Sequence, residues 1–175
     1  MNITIFGGSL PQTGSKGYQE AYNLGQLLAQ AGHSVITGGY IGTMEAVSRG
    51  AAEAGGHVIG VTCKEIEKWR PVKANAWVKE ERNYVTLQDR LHELVYCCDA
   101  AMALPGGPGT LTEISLTWNL ITIHVLPKKP LILIGSEWLQ IMNKMFTELA
   151  GYFPSTQREL LLFAENIEVA CSMLK

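Results

Sequence analysis

Three apolar runs in this chain each end in a glycine-rich turn, and a helical pattern follows each of these turns. The runs are residues 3–6, 34–37 and 100–104. Their continuous apolar character predicts strands that are covered on both faces, as in a parallel sheet. Because strand and helix patterns alternate along the chain, the sequence predicts one α/β domain over residues 1–175, a doubly wound parallel sheet with helices on both faces.

The remaining elements follow from the same patterns. We expect helices over residues 16–31, 43–54 and 87–95, further strands over residues 57–62, 131–134 and 161–163, and a C-terminal helix from residue 166. Residues 64–82 show no comparable pattern. They are either an irregular connection with one short helix, or a flap over the ligand that contributes Arg70 or Asn75.

Composition excludes several classes of protein. An apolar fraction of 47% and a charged fraction of 17% are typical of a well-buried globular protein. A net charge of −2 gives no field that would recruit nucleic acid or an anionic membrane, and no apolar run is long enough to span a bilayer. We therefore expect no nucleic acid and no membrane among its partners.

The cysteines and histidines indicate a reduced protein without a metal. The four cysteines form no C-x-x-C pair, and the first residues lack the basic and apolar pattern of a signal peptide, so we expect a cytoplasmic protein. The four histidines are scattered without the spacing of metal ligands, and we predict no metal site.

The glycine turns predict a binding site for a phosphate. Ligands of doubly wound sheets bind outside the carboxyl ends of the strands, where these turns lie. The third turn, PGGPGTLTE over residues 105–113, opens a helix whose first N–H groups and dipole attract an anion. The candidate binding residues are Gly8, Ser9, Gly38, Gly39, Gly106, Gly107, Gly109 and Thr110.

Two familiar nucleotide motifs are absent. The chain has no G-x-x-x-x-G-K-[ST] motif, which argues against a P-loop nucleoside triphosphatase. It also has no G-x-G-x-x-G motif after its first strand, which argues against a redox dinucleotide cofactor. A mononucleotide or a sugar phosphate fits the turns better.

Two charged residues near the third turn are candidates for chemistry. Glu113 shares a helix face with Thr110, so its carboxylate would lie beside the sugar of a bound phosphate, where it suits a reaction that develops positive charge. The alternative is a glutamate that only complements the helix dipole. Arg90 either grips phosphate or sugar oxygens, or pairs with Asp89 or Glu93 on an exposed helix face.

The helix after Glu113 is apolar nearly all round, which predicts burial on several sides. We expect it to form a dimer interface, with a purely internal core role as the alternative. The residues concerned are Ile114, Leu116, Trp118, Leu120, Ile121 and Ile123.

PGGPGTLTE resembles the PGGxGTxxE signature of the LONELY GUY (LOG) family at every fixed position. Residues 38–46 and 55–61 resemble that family's second conserved block, and residues 5–9 resemble its opening strand and turn. The resemblance implies a Rossmann-like fold, a homodimer or higher homo-oligomer, and hydrolysis of a nucleoside 5′-monophosphate to free base and ribose 5-phosphate without a cofactor. It also implies a catalytic pair, which falls on Arg90 and Glu113.

A second hypothesis is a non-catalytic protein. The chain resembles a bacterial side branch of the LOG family that is similar to molybdenum-cofactor carrier proteins, so the same turns would bind or carry a nucleotide or a phosphorylated pterin such as molybdenum cofactor. A lysine decarboxylase, the label long given to this family, is disfavoured because no lysine is marked as a Schiff-base residue.

Overall fold

The computed structural model describes residues 1–174, which form a sheet of seven parallel strands in the order β4-β3-β2-β1-β5-β6-β7. The strands are β1 (Asn2–Phe6), β2 (Ser34–Thr37), β3 (Val58–Cys63), β4 (Glu80–Tyr84), β5 (Ala100–Ala103), β6 (Leu131–Ile134) and β7 (Leu162–Ala164). This α/β Rossmann-like architecture confirms the predicted fold class.

Helices cover both faces of the sheet. They are α1 (Lys16–Gln30), α2 (Thr43–Glu53), α3 (Lys64–Trp69), α4 (Leu87–Tyr96), α5 (Pro108–Thr122), α6 (Ser136–Glu148), α7 (Ser155–Arg158) and α8 (Ile167–Ser172). A 3₁₀ turn lies at Ala150–Tyr152. The first hydrophobic cluster joins α1, α2 and α8 to one face of the sheet. The second cluster joins α4, α5 and α6 to the other face. None of the helices in residues 1–174 combines the length and the apolarity that crossing a bilayer would require.

Local signals in the sequence fix where several helices begin. The side chains of Ser15, Thr86 and Asn166 accept hydrogen bonds from the first turns of α1, α4 and α8, as N-cap residues do. Gly32, with a φ of 78°, follows the end of α1 in a conformation that favours glycine.

Residues 64–82 contain more regular structure than the sequence suggested. They hold α3 and the start of β4, which pairs in parallel with β3 from Ile59↔Glu80 to Cys63↔Tyr84. The strand reads Glu-Glu-Arg-Asn-Tyr and lies at the edge of the sheet, so it lacks the apolar run by which the inner strands were recognised.

The apolar helix α5 is partly core and partly exposed. Ile114, Trp118 and Ile121 are buried against the sheet, so the expectation that they form an interface is wrong for these three residues. Leu111, near the start of the same helix, and Ile123, just past its C-terminal end, stay exposed.

Candidate functional site

The three glycine turns meet at the carboxyl edge of the sheet, where the strand order changes direction between β1 and β5. The N–H of Gly8 donates to the Pro105 carbonyl (3.2 Å), and the N–H of Thr43 donates to the Gly8 carbonyl (2.9 Å). These bonds join the turns after β1, β2 and β5 into one surface, at the place where doubly wound sheets bind ligands.

The glycines of the third turn fall into two groups. A Cβ on Gly106 would lie 2.1 Å from Thr110 Oγ1 and 2.9 Å from the Gly8 nitrogen, so internal packing requires a glycine there. A Cβ on Gly107 or Gly109 would meet no atom within 4 Å, and neither residue has a positive φ. Nothing within residues 1–174 explains these two glycines, which face open space at the start of α5.

The start of α5 is well suited to an anion. Gly107 is its N-cap and Pro108 its first residue, and no side chain caps the free N–H groups of the first turn. Such an end presents backbone donors and the positive end of the helix dipole to the solvent.

Arg90 is buried, and only 5% of its surface is exposed. Its Nε donates to the Val61 carbonyl (2.8 Å) and its Nη2 to the Gly38 carbonyl (3.3 Å), while its Nη1 lies 3.8 Å from Glu113 Oε1. The alternative of an exposed ion pair is therefore wrong.

The two acidic residues considered as partners of Arg90 are engaged elsewhere. Asp89 accepts from the Thr86 hydroxyl at the start of α4. Glu93 accepts from Arg82 and from the Tyr84 hydroxyl.

Glu113 lies one turn beyond the uncapped start of α5 and is 8% exposed. Burial raises its pKa to about 7, and the neighbouring Arg90 charge only partly opposes this effect. No residue within 1–174 donates a hydrogen bond to its carboxylate. A desolvated carboxylate that titrates near neutrality is typical of a functional site rather than of a helix-dipole partner.

The second turn owes its glycines to packing. A Cβ on Gly38 would lie 2.1 Å from Arg90 Nη2 and 2.5 Å from Met44 Sδ. Gly39 has a φ of 78°, which favours glycine, and its N–H donates to Thr37 Oγ1 (3.1 Å). Gly38 therefore allows the turn to lie against Arg90, whereas Gly39 allows it to pack on Thr62 and Gly60 of β3.

The model of one protein family, described as SLOG cluster4 family, matches residues 1–160. The chain belongs to the SLOG cluster4 family. Three further similarities agree with this assignment and confirm the resemblance to LOG proteins.

A cytokinin riboside 5′-monophosphate phosphoribohydrolase of Arabidopsis thaliana, LOG3, is 33% identical, over 93% of this chain and 76% of that protein. An enzyme of the same name from Rhodococcoides fascians is 27% identical, over 99% of this chain and 89% of that protein. The solved structure of the molybdenum cofactor binding protein from Rippkaea orientalis has a TM-score of 0.74 and 26% identity, covering 99% of this chain and 94% of that chain.

In this SLOG cluster4 protein, two further residues near the site have structural roles that the sequence did not predict. Tyr40 lies between Arg90 and the end of β3. The sequence feature that could have drawn attention to Tyr40 is a large aromatic side chain inside a glycine-rich turn. Asn75 was a candidate for a ligand-binding flap, but its Nδ2 donates to the carbonyls of Gly39 (3.0 Å) and Tyr40 (2.9 Å). It therefore anchors residues 64–82 to the second turn.

A cavity of about 540 Å³ lies beyond Pro105, at the ends of β6 and β7. Its lining includes Lys16, Glu137, Phe163 and Glu165, and the Arg90–Glu113 pair does not line it. No group of three metal-ligating side chains was found within residues 1–174.

Proposed function

We propose that this protein hydrolyses the N-glycosidic bond of a nucleoside 5′-monophosphate to free base and ribose 5-phosphate. The observation that carries the proposal is the buried Glu113 carboxylate beside Arg90, one helical turn from the uncapped start of α5. The names of the relatives, cytokinin riboside 5′-monophosphate phosphoribohydrolases, support the same reaction.

The 5′-phosphate would bind at the start of α5. The backbone at Gly107, Gly109 and Thr110 would supply the binding surface and donors, and the side chain of Ser9 would approach from the first turn. A dianion there matches the helix dipole, and the two open glycines leave room for its close approach. Gly8, Gly106, Gly38 and Gly39 would shape the backbone of the site.

Glu113 would then act on the sugar. Cleavage of the bond between C1′ and the base nitrogen develops positive charge on the ribose ring, as glycoside hydrolysis does. The ionised carboxylate of Glu113 would stabilise that charge and orient the water that attacks C1′. The water oxygen bonds C1′ and water releases a proton, while the base departs with the electron pair of the broken C1′–N bond and takes up a proton, so that one water is consumed overall.

Arg90 cannot serve as a base, because its guanidinium stays protonated. Its charge lowers the pKa of Glu113 and so increases the fraction of carboxylate available at neutral pH. It would also stabilise negative charge on the sugar phosphate or the departing base.

A carrier function is the second candidate, and one observation favours it. The fold and 26% of the aligned residues are shared with a molybdenum cofactor binding protein. In that case the start of α5 would bind the phosphate of the carried group, and Glu113 would only accept a hydrogen bond.

The proposal includes a cytoplasmic homodimer that uses the outer face of α5. Leu116 and Leu120 are half-buried on one side of α5, and Ile123, just past its C-terminal end, is exposed, so these three residues form an apolar patch that a second copy could cover. Sedimentation at micromolar concentration tests this part, since a strict monomer would contradict it.

The experiment that tests the function is a panel of nucleoside 5′-monophosphates and the matching nucleosides, with free base and ribose 5-phosphate measured by chromatography. We expect equal amounts of the two products from at least one monophosphate, no cleavage of its nucleoside, and no cleavage by Glu113→Gln. The exposed substitution Glu159→Gln is the matched control and should retain the wild-type rate. Tight binding of a monophosphate without cleavage would favour the carrier.

A further inference from the structure

The aromatic ring of Tyr40 lies beside the Arg90 guanidinium. Its ring centre lies 5.8 Å from Arg90 Cζ, within the range at which an aromatic face attracts a guanidinium. The two hydrogen bonds that Arg90 donates, to Val61 and Gly38, go to backbone carbonyls near the ends of β3 and β2. Beyond these two backbone acceptors, the Tyr40 ring is an aromatic surface against which the guanidinium lies.

Tyr40 is itself fixed at both ends. Its hydroxyl donates to the Cys63 carbonyl (3.1 Å) and accepts from the Cys63 N–H (2.8 Å), at the end of β3. Its own carbonyl accepts from Asn75 Nδ2 (2.9 Å), and only 1% of the residue is exposed. A ring held in this way cannot move aside without breaking both hydroxyl hydrogen bonds.

We propose that Tyr40 is a positioning residue that holds the Arg90 guanidinium against the turn after β2, so that Nη1 faces the Glu113 carboxylate. The proposal rests on the proposed function for its catalytic meaning. Tyr40 does not reach the substrate, because the residue is buried beside Arg90 and its hydroxyl points to β3.

The phenol stays neutral in this setting. Burial raises the pKa of Tyr40, and the nearby Cys63 thiol and Glu67 carboxylate act in the same direction, while the Cys63 hydrogen bond and Arg90 act in the opposite direction. The charged neighbour that lowers the pKa of Glu113 is Arg90. Displacement of Arg90 therefore raises the pKa of Glu113, and this effect can be measured without turnover.

The test compares Tyr40→Leu, which removes the ring, with Tyr40→Phe, which keeps it. For Tyr40→Leu we expect kcat at pH 7 to fall about tenfold with KM within about twofold, and the pKa of Glu113 to rise by about half a unit or more. Tyr40→Phe keeps the ring but loses the two hydrogen bonds with Cys63, so we expect its kcat to lie between those of Tyr40→Leu and wild type. The pKa is read from ¹³C NMR of labelled glutamate carboxyls, with the Glu113 signal assigned by its loss in Glu113→Gln.

Tyr18→Leu is the matched control. Tyr18 is a buried tyrosine of α1 whose hydroxyl donates to Glu45, and it belongs to the first hydrophobic cluster, on the opposite face of the sheet from α4 and α5. It should lower stability but leave kcat and the pKa of Glu113 unchanged. A folded Tyr40→Leu variant with wild-type kcat and wild-type pKa of Glu113 would overturn the proposal.

A second pair of variants covers the case in which Tyr40→Leu does not fold. Phenylalanine and pentafluorophenylalanine at position 40 have similar shapes, but the fluorinated ring repels a cation. The fluorinated variant should show the higher pKa of Glu113, and equal values would overturn the proposal. If wild-type protein releases no base, the proposed function fails, while the NMR comparison still decides the role of Tyr40.

Discussion

Replacing Glu113 with glutamine should abolish turnover and make the protein more stable above neutral pH. The native structure keeps the Glu113 carboxyl buried beside the charged side chain of Arg90. In the unfolded chain the same carboxyl is surrounded by water. Ionisation of Glu113 is therefore easier in the unfolded chain than in the folded protein, and glutamine removes this difference while it keeps the shape of the side chain.

The size of the effect follows from the two pKa values of Glu113. The folded value is about 7 and the reference value is 4.5, and one pKa unit corresponds to about 1.4 kcal/mol. Because the folded pKa is the higher one, the stabilisation from the protonated carboxyl is fully present below 4.5 and is lost as the pH rises through 7. At pH 9 the variant should therefore exceed wild type by about 3 kcal/mol.

At pH 4.5 and below, the same substitution should change the free energy of unfolding by less than about 1 kcal/mol. Both proteins then have a neutral side chain at position 113, and Arg90 keeps its hydrogen bonds to Val61 and Gly38 in both. The attraction between Arg90 and the ionised Glu113 carboxylate already lowers the folded pKa of Glu113, so it needs no separate correction.

The assay is urea unfolding of wild type and Glu113→Gln at fixed protein concentration from pH 4 to pH 9. In the difference between the two free energies of unfolding, the contributions from the titration of all other groups cancel. Glu159→Gln, at an exposed position, is the control. A difference that stays constant with pH to within about 1 kcal/mol would refute the argument that burial destabilises ionised Glu113.

Three further predictions address the rest of the site. Gly109→Ala should fold normally but lower the affinity for a nucleoside 5′-monophosphate by about tenfold or more, as measured by titration calorimetry. Gly106→Ala should instead lower the free energy of unfolding by about 1–3 kcal/mol, as measured by urea unfolding, because its Cβ would lie 2.1 Å from Thr110 Oγ1. Arg90→Lys should reduce kcat about a hundredfold in the base-release assay, because the one nitrogen of lysine cannot occupy the three positions from which the guanidinium nitrogens face Val61, Gly38 and Glu113. A wild-type rate would contradict this. The pH profile of kcat/KM should rise through about pH 7 as Glu113 ionises, and a flat profile from pH 5 to 9 would exclude its carboxylate as the acting form.

The inner strands could be predicted from the sequence because burial on both faces leaves uninterrupted apolar runs. Residues 131–134 read Leu-Ile-Leu-Ile and form β6 with the expected bounds. Strand β4 could not be found in this way, because an edge strand has solvent beside it and its residues alternate in burial. Its position depends on pairing with β3, which is a contact distant along the chain.

The role of Arg90 shows a similar limit. Its neighbours Asp89 and Glu93 made a surface ion pair the simpler interpretation of the sequence alone. Its burial depends on the carbonyls of Val61 and Gly38, which come from β3 and from the turn after β2. The local sequence and the family resemblance therefore singled out Arg90 but could not determine which side of α4 faces the sheet.

The measurement that tests the account most directly is the crystal structure of Glu113→Gln with a nucleoside 5′-monophosphate that the wild-type protein cleaves. We predict that the phosphate lies on the N–H groups at the start of α5, with C1′ within about 3.5 Å of the residue 113 side chain. A phosphate bound instead in the cavity beside Ser136 and Glu165, with C1′ far from Arg90 and residue 113, would contradict the account.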